Sequence, residues 1–419
     1  MRIRDLKLNR KDLLIIFTLC WFSFSSIIIA TLFMFSHEFN WILLKDFVYV
    51  LLFIILFPSI ISHRYDKNFV LFNLILWIIV VISFLQSPAS IFLKMASIRQ
   101  IMSFEIFFLI GYELIKNRLT YKKTVRIFLI LGLVIVSFGI IEKSLKLWSF
   151  FDLSAYLGAK NIGFYENGYP YFFIEPIPEA ISNLIGVTSV TRMVSTILDP
   201  INLGHILVLC VALSLKDNLK IFKFKVTNFF LIFVYIVGIF LTFSKGAWIQ
   251  LFLVLVLKYN KFVRRYWILF FIILFLFLIG IGPFHPGLSI HIKGLTNSIK
   301  SATLWGLGLG MAGNYSSMFG NANSTIGDTY IGAIIGQIGV VGIVFWFLLI
   351  YSIYKKSVSE NILGFVLFSQ IFVAIFSENS FNILSIVFLF LLIGGLYRIQ
   401  KEENKLEIKK NEKNNISWN

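Results

Sequence analysis

The chain is built from long apolar blocks set between short stretches rich in lysine and arginine. A bilayer core about 30 Å thick takes about 20 helical residues to cross, and the blocks run to roughly 16–25. Twelve segments qualify as candidate spans: 13–35, 47–62, 68–85, 97–115, 125–142, 200–215, 226–243, 246–258, 266–283, 328–352, 362–377 and 380–397. Composition agrees with this reading. Of 419 residues, 58% are hydrophobic and 14% charged, with a mean hydropathy of +0.85. A soluble domain averages about 45–50% apolar and about 25% charged residues, and its core could not absorb this excess. The expected fold is therefore all-α and polytopic, with about twelve transmembrane helices.

The net charge of +17 does not point to nucleic acid, because the cations sit between apolar blocks, where they encode orientation. With the amino terminus in the cytoplasm, alternation through twelve spans puts 28 of the 38 Lys and Arg inside. Residues 1–398 then form one transmembrane domain, and 399–419 a charged cytoplasmic tail. Leu13 to Phe35 reads as a retained first span, too long for the apolar region of a cleaved leader. Cys20 and Cys210 fall inside apolar blocks and read as buried free thiols.

Inside loops are short and basic, whereas two outer loops, 143–199 and 284–327, are long and rich in Gly, Pro, aromatic and polar residues. Long loops tend to carry sites, so the working face is expected outside. Arg192 lies there against the positive-inside bias. Asp199-Pro200 suits a helix start, with Pro at the first turn and an acidic cap, and Asn202 follows. Lys245 stands alone in the tight outer turn Phe243-Ser244-Lys245-Gly246, where topology has no use for a cation; snorkelling to the interface competes with a phosphate contact.

The segment Trp305-Gly306-Leu307-Gly308-Leu309-Gly310 lets backbone approach a ligand or a neighbouring helix closely. It is no dinucleotide fingerprint, since no strand precedes it. Asp328 opens an apolar helix on the outer face, suited to capping or to action on a substrate. Metal ligands are scarce: His285 and His291 lack neighbours, and Pro176 and Pro178 disrupt the helical spacing of Glu175 and Glu179. No metal or cofactor is expected. Within span four, Glu113 lies near the cytoplasmic end, while Glu105 has no assigned role; carboxylates at such depth are costly.

These residues resemble the family of bacterial polysaccharide polymerases and O-antigen ligases, whose fold is that of the C-type membrane glycosyltransferases. Three segments carry the resemblance: Arg192 to Asn202, Phe243 to Ala247, and Gly306 to Gly310 with Asp328-Thr329-Tyr330 and Gln337 to Gly342 after it. The chain departs from the family at two places. Lys245 stands where the family has Arg, putting a point charge for a bidentate fork, and Asp328-Thr329 stands where ligases have His-Asn.

The resemblance implies glycosyl transfer between undecaprenyl-diphosphate-linked oligosaccharides at the outer face of the cell membrane, giving capsular polysaccharide, exopolysaccharide or O-antigen. It implies Arg192 and Lys245, assisted by Lys300, as cations for the departing diphosphate, and Asp328 as general base. Asp199, Asn202, Ser244, Gly308 and Gly310 complete the substrate-binding set. The lipid-linked oligosaccharide and the bilayer are the implied partners, along with a flippase and a chain-length regulator. A lipid-linked oligosaccharide flippase or other transporter is the first rival reading; the sequence offers it neither a two-fold repeat nor paired broken helices. An O-antigen-ligase-type transferase of finished polymer is the second.

Overall fold

A computed structural model describes residues 10–36, 44–63, 65–145, 147, 153–158, 163, 170, 173–177, 182, 186–215, 225–282, 286–318, 327–357 and 362–416. His285, Pro178, Glu179, Arg2, Arg4, Lys7, Arg64, Lys216, Lys220 and Lys223 lie outside the described residues.

Every apolar segment forms a helix, since continuous apolar side chains leave the backbone no partner but itself. The order is α1 (Arg10–Ser36), α2 (Leu44–Ile61), α3 (Lys67–Gln86), α4 (Ile91–Leu114), α5 (Arg118–Leu145), α6 (Ser154–Gly158), β1 (Ile174–Pro176) and β2 (Ser189–Thr191). After a 3-10 turn at Ser195–Ile197 come α7 (Pro200–Ser214), α8 (Lys225–Leu241), α9 (Lys245–Tyr259), α10 (Lys261–Arg265) and α11 (Trp267–Ile281). The chain closes with α12 (Pro286–Lys300), α13 (Asn314–Met318), α14 (Tyr330–Ser357), α15 (Ile362–Ala374), a 3-10 turn at Glu378–Phe381 and α16 (Ile383–Ile416).

Six of these helices are long and apolar enough to cross a membrane: α1, α2, α3, α5, α14 and α16. The remaining segments foreseen as spans are shorter, such as the 15 residues of α7 and of α11, or carry several charges, as α4 does with Lys94, Arg99, Glu105 and Glu113. The chain is thus an all-α, membrane-embedded protein with six candidate spanning helices among the described residues. Outward apolar surface agrees: α11 buries none of its residues, and Leu269, Leu276 and Phe277 stand more than half exposed. Such a face is stable only against lipid or protein.

The core is organised on α16. It runs parallel to α4, with Phe390 beside Phe104, Tyr397 beside Phe108 and Arg398 beside Tyr112. A Cβ at Gly394 or Gly111 would overlap backbone of the opposite helix. The small residues therefore set the approach distance, as they do between helices in lipid.

Two departures from plain hairpins shape the end of the bundle at which α9 begins. First, the segment foreseen as the loop 284–327 contains α12, which packs parallel to the start of α14: Gly294 meets Gly327 and Thr329, and Gly332 meets Ser298. Second, α14 is broken at Gly339, with φ 72° and ψ −175°. The Tyr330 and Trp346 rings are 5.8 Å apart, although sixteen residues of straight helix would separate them by about 24 Å. The helix folds sharply on itself there.

The glycine segment repairs the hydrogen bonding at this break. Leu307 N donates to Gly336 O at 2.7 Å, Gly308 N to Gln337 O at 3.2 Å, and Val340 N to Thr303 O at 3.0 Å. Irregular backbone in an apolar setting needs such partners. A side chain at Gly306 or Gly339 would enter the facing backbone, and both residues have positive φ.

Candidate functional site

Arg192 and Lys245 meet on one carboxylate. Glu175, in β1, lies 2.9 Å from Lys245 Nζ and 3.6 Å from the Arg192 guanidinium. The strand brings it there because β1 pairs antiparallel with β2, Glu175 opposite Val190, and Arg192 follows β2 directly. The proline that argued against a helix at Glu175 fits here, at the end of a three-residue strand.

Several contacts fix the two cations. Arg192 Nε donates to Thr242 O at 2.9 Å and its backbone N–H to Phe173 O at 2.7 Å, while Met193 N–H reaches Leu241 O. Its side chain is 10% exposed. Burial pushes the guanidinium below its ordinary pKa, with Glu175 and Asp199 opposing the shift. Lys245 opens α9, which Ser244 caps by accepting from Ala247 N, and its side chain remains 60% exposed.

The chain after Arg192 is pinned deep in the bundle. Glu142 accepts from Ser195 N at 3.1 Å and Val194 N at 3.4 Å, Ser195 Oγ donates to Ile135 O and Thr196 Oγ1 to Ser23 O. Ser195 and Leu198 hold positive φ of 51° and 54°, a cost of order 1–3 kcal/mol each that surrounding contacts must offset. Lys143 Nζ donates to Thr191 O at 2.7 Å and faces the Phe243 ring.

Asp199 is the N-cap of α7, accepting from Ile201 N, Asn202 N and Asn202 Nδ2. Asn202 is buried beside it, and Ser244 is likewise buried. These three residues frame the cations and present little surface of their own. Gly308 and Gly310 approach protein: a Cβ would meet Ser87 at the first and Ala89 and Leu93 at the second. Lys300 is exposed in the last turn of α12 and takes no part in the Glu175 ion pairs.

Asp328 belongs to a second polar cluster. Its backbone N–H donates to Asn314 Oδ1, and Asn314 Nδ2 returns to Asp328 Oδ1 at 3.2 Å. Asn314 N and Gln100 Nε2 both donate to the buried Glu378, at 2.7 and 2.8 Å. His291 Nδ1 lies 3.0 Å from Asp328 O. The clusters flank the end of α15, since Thr329 Oγ1 donates to Ile375 O and Val373 packs at Gly246. No group of three or more metal-ligating side chains forms among the described residues.

Four interior polar groups make hydrogen bonds or ion pairs of their own, although His205 Nε2 is buried without one. Glu105 accepts from Asn73 Nδ2 at 2.7 Å and Trp77 Nε1 at 3.1 Å, which gives it a helix-joining role. His205 Nδ1 is 2.6 Å from Gln250 Oε1, and Gln370 donates to Ser380 O. Glu113 pairs with Lys11, Arg398 and His63 at the opposite end of the bundle. Glu175, Glu378 and His205 escaped sequence reasoning as site neighbours. The only signal for Glu175 was an acid in an outer loop beside prolines.

No family model matches the chain, no curated protein matches it and no solved structure matches it. Fold and geometry define the class: a helical membrane protein with a two-cation, one-carboxylate cluster at one end of its bundle.

Proposed function

We propose that the chain is a membrane glycosyltransferase that polymerises undecaprenyl-diphosphate-linked oligosaccharide repeat units at the outer face of the cell membrane. It crosses the bilayer twelve times in this reading, with both termini in the cytoplasm. The observation that carries the proposal is the meeting of Arg192 and Lys245 on Glu175. Two cations joined at one point are suited to an anionic group with several oxygens, and their fixed placement supplies charge stabilisation without reorganisation.

In the reaction, the non-reducing-end hydroxyl of a new unit attacks the anomeric carbon of the growing chain. The bond from that carbon to the diphosphate breaks, and the diphosphate leaves with the electron pair, held by Arg192 and Lys245. The hydroxyl proton passes to Asp328, across the end of α15, where Asn314 orients the carboxylate. A diphosphate needs charge stabilisation to leave, so protonation of the leaving group is unnecessary.

The test is polymer formation in cells carrying Arg192→Ala or Lys245→Ala, with membrane insertion checked by reporter fusions. Loss of the polymer ladder, with single repeat units stranded on the outer leaflet, is the expected result. Full-length polymer from both inserted variants would refute the proposal. The break at Gly339 gives one observation to the rival transporter reading, since transporters bind substrates at broken helices. Units accumulating on the inner leaflet of a deletion strain would favour that rival.

A further inference from the structure

Glu175 and its two cations differ in how firmly they are held. Arg192 is fixed by the Thr242 carbonyl and, through the neighbouring Met193 amide, by Leu241 O. Lys245 rises from the capped first turn of a 15-residue helix. Glu175, in contrast, is carried by a three-residue strand that pairs, among the described residues, with β2 alone. Its contact with the guanidinium, at 3.6 Å, is an ion pair longer than a hydrogen bond. The carboxylate remains 19% exposed. Among the described residues, Asp199, the other acid acting on Arg192, caps α7, and Glu142 accepts the amides of Val194 and Ser195.

We propose that Glu175 is an internal anion that occupies the cation pair when the site is empty, and that a phosphate or diphosphate group binds by displacing it. Each cation exchanges one anionic oxygen for another, so the site never holds two bare positive charges. The exchange favours a multiply charged ligand, because one carboxylate can satisfy Lys245 closely and Arg192 only at longer range, while a diphosphate has oxygens for both. The helix start at Lys245 adds its own preference for an anion. A singly charged competitor gains little over Glu175, so displacement also selects for charge. The nature of the phosphate carrier rests on the function proposed above; the displacement itself does not.

The test uses the purified full chain in nanodiscs of neutral phosphatidylcholine. A water-soluble carbodiimide joins a carboxylate to an amine in direct contact, with loss of water as the amide forms. Glu175 and Lys245 should couple in the empty protein, as read by peptide mass spectrometry. Inorganic pyrophosphate should cut the coupling several-fold, and sodium chloride of equal ionic strength should cut it less. In a parallel binding assay, Glu175→Gln should bind pyrophosphate about tenfold more tightly than the native chain.

A second set of nanodiscs containing phosphatidylglycerol separates the sources of phosphate. Suppressed coupling without added pyrophosphate assigns the site to a lipid headgroup; suppression by pyrophosphate alone assigns it to a free or diphosphate-bearing ligand. Coupling unaffected by either source, or Glu175→Gln binding no better than native, overturns the proposal. So does failure of both chains to bind either probe. Polymer loss in Lys245→Ala, with pyrophosphate leaving the native chain's coupling undiminished, would retain the glycosyltransferase and reject the displacement. Displacement in a protein whose Lys245→Ala variant still makes polymer would do the reverse.

Discussion

Two carboxylates in this protein each hold two cations, at opposite ends of the bundle, and the pairs differ in everything but charge. Glu113, on α4, has a fully buried side chain and meets Lys11 of α1 and Arg398 of α16, with His63 at 3.6 Å. Lys11 and Arg398 are 29% and 11% exposed. That cluster ties three helices and the turn after α2 together. Glu175 sits on a short hairpin, 19% exposed, and its lysine is 60% exposed. The same charges therefore form a buried cross-helix cluster at one end and a water-accessible one at the other, the one proposed above as an anion site. What separates the two roles is how much of the frame depends on the carboxylate.

The largest effect on stability is expected at Glu113. Glu113→Ala leaves the part-buried Lys11 and Arg398 without their shared counter-charge, a loss below the about 3–5 kcal/mol of a fully buried broken pair but well above that of an exposed one. The expected result is a steep fall in thermal stability in detergent and in accumulated protein. A melting temperature close to native would show that this cluster does not hold the helices together.

At the other end the largest effect is expected on activity. Arg192→Ala should reduce chain elongation by about 10²–10³-fold, the scale for removing a preorganised charge-stabilising donor, as read from the polymer ladder at matched protein levels. Arg192→Lys should restore only part of it, because Lys lacks the fork that reaches Thr242 O and Glu175 together. Full rescue by Lys would reduce Arg192 to a simple charge.

Lys245→Arg sharpens the contrast further. A fork at this exposed position can take two phosphate oxygens, so elongation should hold at or above the native rate. A severe loss would show that the position tolerates only a compact charge. The smallest expected effect is that of salt. Raising ionic strength to about 1 M shortens the Debye length to about 3 Å and should weaken pyrophosphate binding at the exposed cluster while the melting temperature stays nearly constant. Equal sensitivity of both would erase the distinction.

How much of this could be read in the sequence follows from how local each signal is. The helices were legible because apolar runs act over contiguous residues. Asp199-Pro200 announced the start of α7 for the same reason, and the structure has that cap. Arg192 and Lys245 were visible as cations in segments read as outer loops, where the positive-inside bias disfavours them. Their meeting on Glu175 was not, because Glu175 and Lys245 are seventy residues apart and a three-residue strand leaves no periodic trace. The break at Gly339 was hidden too. Gln337-Ile338-Gly339-Val340 reads as ordinary membrane helix, and only the distant Thr303–Gly308 segment makes the irregular backbone tenable. Gly308 and Gly310 were ambiguous between a ligand and a neighbouring helix, and they pack on the turn between α3 and α4 and the start of α4.

One paired measurement tests the distinction directly: the polymer ladder and the melting temperature of Lys245→Ala beside those of Lys11→Ala. Lys245→Ala should stop elongation and change stability by less than about 1 kcal/mol, the range for an exposed ion pair. Lys11→Ala should lower the melting temperature, with elongation falling only as far as the amount of folded protein does. Elongation unimpaired in Lys245→Ala, or the two variants losing stability and activity alike, would contradict that distinction.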